Sequence, residues 1–185
     1  MRLRGTVFHT LLRATDVPGR EESAGIELFL RRDFSRRLGG FVSYTLSRAE
    51  TTLNVQSFLS DGDRTHVLSV VLGYDLGNHW RVGTRVFFES GRPYQAMCET
   101  PDCSIGETPT AYAVTGRLPP FYRVDVRLEK RWLFAGGRWL AGTLECFNAL
   151  YKSEPIGVNY SPQEGLSVAS QSPVILPSIG VEGGF

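Results

Sequence analysis

Apolar and polar side chains alternate one by one over much of this chain, most cleanly from Phe121 to Trp132. Tyr122, Val124, Val126 and Leu128 fall on one side of an extended strand, because successive side chains point to opposite faces. Arg123, Asp125, Arg127 and Glu129 fall on the other. A helix needs apolar positions every three to four residues, and this segment lacks that period. The pattern predicts a strand with one apolar face and one charged, hydrated face.

The same template fits seven more stretches. The first runs from Arg2 to Leu12, with Leu3, Val7 and Leu11 on one face. The second, Ala24 to Asp33, sets Ile26, Leu28 and Leu30 against Glu27, Phe29 and Arg31. In the third, Gly39 to Glu50, Val42, Tyr44 and Leu46 oppose Phe41, Ser43 and Thr45. The fourth (Arg64 to Asp75) carries His66, Leu68, Val70, Leu72 and Tyr74 on one side. The fifth, Trp80 to Gly91, divides Trp80, Val82, Thr84, Val86 and Phe88 from Arg81, Gly83, Arg85, Phe87 and Glu89. Trp139 to Leu150 and Val174 to Phe185 complete the set.

Between these strands the connections alternate. Ala14 to Ser23, Thr51 to Asp63, Arg92 to Pro120 and Tyr151 to Ser172 are long, whereas Ser35 to Leu38, Leu76 to His79 and Phe134 to Arg138 are short. A membrane barrel sorts its connections this way, with tight turns on one rim and extended loops on the other. Trp80, Trp132 and Trp139 all flank short turns, the level at which an interfacial aromatic girdle lies, and Tyr74, Phe34 and Phe185 map to the same rim. The predicted fold is all-β, an antiparallel transmembrane β-barrel of about eight strands occupying residues 1–185. The competing reading makes the aromatics the core of a soluble sandwich. Against it, the opposite faces hold Arg, Glu, Asp and Thr through the middle of the strands.

Composition narrows the function. A formal net charge of +1 in 185 residues, with no basic stripe, argues against nucleic acid as a partner. No apolar run reaches the about 18 residues of a spanning helix, a test that leaves β-barrels untouched. Arg4, His9 and Arg13 interrupt the amino-terminal segment, so an export signal is expected upstream of a fragment or truncated product. Cys98 and Cys103 flank a short loop, a spacing that suits a disulfide in an oxidising compartment; half of a metal site and free thiols are the alternatives. Cys146 reads as a small apolar side chain on a strand. His9, His66 and His79 are isolated, and Asp61-Gly62-Asp63 reads as a turn before a calcium loop, since two carboxylates fall short of calcium's oxygens. No nucleophile elbow or phosphate-cradling loop is present, so neither an enzyme nor a cofactor is predicted.

Four stretches then take on a family likeness: Asp63 to Tyr74, Phe88 to Tyr94, Phe121 to Arg131, and Glu145 to Tyr151. With the ending Leu176 to Phe185, the chain resembles the carboxy-terminal part of TonB-dependent receptors of the Gram-negative cell outer membrane. The resemblance implies a wall segment of a barrel of about 22 strands. It also implies a nutrient-uptake role, an amino-terminal plug domain, and energy relayed by the TonB complex. Phe185 would be the signal read by the barrel assembly machinery, and outer-membrane lipid would surround the wall. No plug lies within the chain, which would not be transport-competent alone. Arg81, Arg85, Glu89, Arg123, Asp125, Arg127 and Glu129, with Glu27, Arg31 and Glu145, become lumen-facing residues that contact the plug, or that only solvate the wall. A substrate would meet the long loops. A complete eight-stranded barrel serving as anchor or adhesin is the second reading. A soluble ligand-binding barrel with an apolar interior is the third.

Overall fold

The computed structural model describes residues 1–13, 19–35, 37–53, 56–98 and 112–185. It is all-β. Eight strands form one antiparallel sheet: β1 (Arg2–Arg13), β2 (Gly19–Ser35), β3 (Leu38–Leu53), β5 (His66–Gly77), β6 (Trp80–Glu89), β9 (Phe121–Leu133), β10 (Trp139–Phe147) and β13 (Leu176–Gly184). They lie side by side in chain order, so every strand pairs with its sequence neighbours in the set. All eight predicted strands are present. The sheet does not close on itself: β1 and β13 are its two edges.

Three of the long connections carry strands of their own. The β4 strand (Gln56–Leu59) folds back on the upper end of β3. β7 (Pro93–Cys98) and β8 (Tyr112–Arg117) form a hairpin between β6 and β9, and β11 (Glu154–Ser161) and β12 (Gly165–Gln171) form another between β10 and β13. The first connection is shorter than its polarity suggests, because Gly19 to Ser23 belong to β2 and continue its ladder with β3. Arg20, Glu21, Glu22 and Ser23 look like a loop in sequence, yet a strand end that meets water on both faces needs no apolar residue.

Cross-strand register fixes the faces, since directly paired residues point the same way. Val86 pairs with Val70 and Val124, and Val82 with Tyr74 and Leu128. Leu144 pairs with Leu128 and Ile179, and Val42 with Leu30 and Val70. One face is therefore apolar from β1 to β13. No second layer covers it: among the described residues only Ala96, Leu118, Phe121 and Ala141 are buried hydrophobics. Val7, Ile179 and Val181 are 79%, 83% and 74% exposed at the two sheet edges. A soluble sandwich would bury both inner faces against each other, and nothing here does.

Glycine makes one pairing possible. A Cβ on Gly40, held at φ 149, would overlap the carbonyl oxygen of Val71 on the neighbouring strand. Gly40→Ala is expected to lower the unfolding free energy by about 1–3 kcal/mol, the usual cost of forced overpacking. A urea titration of the refolded protein measures it.

Candidate functional site

The charged face takes its residues from β5, β6, β9 and β10. Arg81, Arg85 and Glu89 alternate along β6; Arg123, Asp125, Arg127 and Glu129 alternate along β9, and all seven share one face. Within it, Arg127 reaches Glu145 at 2.6 Å and Glu129 at 3.1 Å, while Arg131 reaches Glu129 at 3.5 Å. Arg123 pairs with Asp125 at 3.1 Å and lies 3.9 Å from the centre of the Phe147 ring. Glu89 pairs with Arg64 at 3.4 Å. Arg85 stands opposite Asp125 in register but makes no ion pair among the described residues, because Asp125 serves Arg123 and the Asn148 amide. Arg81 lies 5.7 Å from the Phe34 ring. Such half-exposed pairs each contribute about 0–1 kcal/mol, so their main effect is to keep this face wet and in register.

The tryptophans divide. Trp80 pairs with Lys130, and Trp132 with Leu140, on the apolar face. Trp139 stands at the same rim but pairs with Leu133 and so points to the charged face. There its ring lies 4.4 Å from the Arg131 guanidinium. The expected girdle of three indoles is two on the apolar side and one on the other. Phe34 also turns to the charged side, where its ring covers Gly39 and Gly73. The opposite rim holds an aromatic row that the sequence reading did not single out. Tyr44, Phe88 and Tyr122 lie on one line of paired residues, linked through Leu68. The Tyr44 hydroxyl and His66 Nδ1 are 2.8 Å apart beside it.

Two polar nodes hold the rim of long connections. Asp63 is buried, with its side chain fully covered. Its carboxylate accepts from the Ala49 amide at 2.7 Å, Thr65 Oγ1 at 3.1 Å and Arg117 at 2.6 Å. Burial pushes its pKa up, but hydrogen bonds from Arg117, Ala49 and Thr65 outweigh that and hold it below the usual aspartate value. Asn148 is the other node. Its amide nitrogen donates to the carbonyls of Lys152 and Val174 at 3.1 and 3.2 Å, and its Oδ1 accepts from the Lys152 amide at 3.0 Å. A φ of 52° lets it turn the chain out of β10. Asn148 follows directly on the strand residues Cys146 and Phe147, the one sequence signal that could have marked it; Asp63 lies in the polar run Ser60 to His66 and carries none.

A cleft of about 840 Å³ opens between the hairpins of this rim, lined by Arg48, Phe58, Asp61, Arg92, Tyr94 and Arg117 among others. At the rim of short turns a smaller hollow of about 370 Å³ is lined by Asp75, His79, Arg81, Glu129 and Arg131. Cys146 is a free thiol on the apolar face, opposite Val126 and Pro177. Cys103 and its expected bond to Cys98 lie outside the described residues. Phe185 follows β13 and is fully exposed. No protein-family model, no curated protein and no solved structure matches the chain.

Asp63→Asn removes the charge that Arg117 pairs with and puts an NH2 group where a carboxylate oxygen accepted. Arg117 is 34% exposed and also donates to the Gly91 carbonyl, so the unfolding free energy is expected to fall by about 1–3 kcal/mol at pH 7, the range for a buried polar group that loses its partner. A lowered pKa means the stabilisation is present in full above about pH 4 and is lost as pH falls through the lowered value. Denaturant titrations at stepped pH should show the gap between Asp63→Asn and the parent protein narrowing only in acid.

Proposed function

We propose that the chain is part of the β-barrel wall of a TonB-dependent receptor in the outer membrane of a Gram-negative cell. In this reading it acts as a passive wall in nutrient uptake and not as an enzyme. The observation that carries it is the separation of the two faces over eight paired strands. From Tyr122 to Trp132 the strand climbs about 33 Å at about 3.3 Å per residue. A tilt near 45° reduces that to about 24 Å, close to the apolar band of a barrel. Eight strands about 4.8 Å apart give a width of about 38 Å. Over the full strand length of about 33 Å that is an apolar surface of about 1,250 Å², more than a soluble monomer leaves in water. Lipid is the solvent that such a face fits.

The narrower family reading draws on placement as well. The four stretches that carry the family likeness cover most of β5 and β9 and the ends of β6 and β10 where the long connections leave, on four adjacent strands. The open sheet favours a wall continued by further strands over a closed barrel of eight, since an unpaired strand edge inside hydrocarbon costs several kcal/mol per orphaned group. In the complete receptor the partners are the plug and remaining strands, outer-membrane lipid, the assembly machinery and, through the plug, the TonB complex.

The two faces should respond oppositely to charge. Leu144→Arg places a cation on the lipid side and is expected to cost about 2–4 kcal/mol near the bilayer midplane. The neighbouring Thr143→Arg, on the charged face, should cost under about 1 kcal/mol. Unfolding titrations in lipid vesicles read the difference. Equal costs for the two would remove the membrane assignment.

A further inference from the structure

Lys130 is a cation in an apolar setting. It sits on β9 between Leu128 and Trp132 along the apolar face, and pairs in register with Trp80 on one side and Gly142 on the other. Its Nζ lies 5.0 Å from the centre of the Trp80 ring. It donates one hydrogen bond, at 2.6 Å, to the carbonyl of Asn78 in the β5–β6 turn. On its other flank the Trp132 ring lies over Gly142, where a Cβ would sit in ordinary contact with it at 3.4 Å.

Among the described residues no carboxylate stands beside Lys130 on this face. The same-face neighbours are Val82, Leu128, Leu140, Leu144 and Val181. Glu129, next in sequence, points to the charged face and is taken by Arg127 and Arg131. Lys130 makes no ion pair among the described residues. An ammonium carries three donors, so up to two remain after Asn78, between two half-exposed indoles.

We propose that Lys130, framed by Trp80 and Trp132, binds the phosphate of an anionic phospholipid headgroup at the rim of short turns. The inference rests on the membrane reading above. A phosphate supplies the counter-charge that the surface lacks, and the indoles on either side of it favour the level where headgroups lie. The acyl chains of the same lipid would then run along Val82, Leu128 and Leu144. Free inorganic phosphate would match the ammonium but leave that apolar surface uncovered.

Brominated acyl chains quench the tryptophans they touch, which gives a direct test in vesicles. The Trp139→Phe background removes the indole on the charged face. Brominated phosphatidylglycerol is expected to compete for Trp80 and Trp132 about fivefold better than brominated phosphatidylcholine, the factor for one cation at a membrane surface. Lys130→Gln should bring the ratio to one, and Lys130→Arg should keep it. A millimolar excess of inorganic phosphate should leave it unchanged. Headgroup binding is overturned if the two lipids quench equally, if Lys130→Gln keeps the preference, or if inorganic phosphate abolishes it. Absence of quenching by either lipid would overturn the membrane reading together with it.

Discussion

Everything in this sheet depends on an unbroken two-residue period carried from strand to strand. A slip of one residue at any pairing would move a whole strand's apolar set to the wrong side. Through the apolar band, from β1 to β13, no slip occurs. The irregularities within the eight-strand sheet fall between Arg32 and Ser35 and between Asp75 and Gly77, both beside short turns. Below the band they can reset the chain for a tight turn without disturbing what lies above. The ladder of backbone hydrogen bonds thus does the work that a packed core does in a soluble protein.

The two rims are built differently because their tasks differ. The short turns use left-handed residues such as Asn78 and His79, at φ 50 and 63, to reverse the chain in little space. The long connections need an anchor where they leave the sheet, and buried polar groups provide it. Asp63 ties β3, the start of β5 and the end of β8 together. Asn148 holds the departure from β10 against the return before β13. Between them the charged face links Arg123, Asp125 and Asn148 into one network that runs from the wall to the rim.

Much of this was legible in the sequence, because period two is a strong local signal when one face is apolar and the other polar. It named eight strands, their faces and the charged residues from Arg81 to Glu129. It failed in the long connections. The upper end of β2 and β4 carry polar residues without alternation, and β7, β8, β11 and β12 are short strands set among Ser, Pro and Gly, so they read as loop although Tyr94, Ala96, Val158, Tyr160 and Leu166 pack together there. The sides on which Trp139 and Phe34 lie were not legible for a different reason. Distance from a turn gives a residue's height, but only register gives its side. The turn from Leu133 to Trp139 places the third indole on the charged face, and glycines at 39 and 73 draw the Phe34 ring there too. Asp63 looked like one half of an exposed acidic turn, and its real role depends on Arg117, 54 residues further along.

The most direct test of the two-solvent sheet is a nitroxide scan of β5 from Val67 to Tyr74 in lipid vesicles, one position at a time. Collision rates with oxygen and with a water-soluble nickel chelate should alternate in opposite phase. Leu68, Val70, Leu72 and Tyr74 should be oxygen-rich, and Val67, Ser69 and Val71 chelate-accessible; Gly73, which the Phe34 ring covers, is left unlabelled. A scan without that alternation, or with the two phases exchanged, would contradict the account.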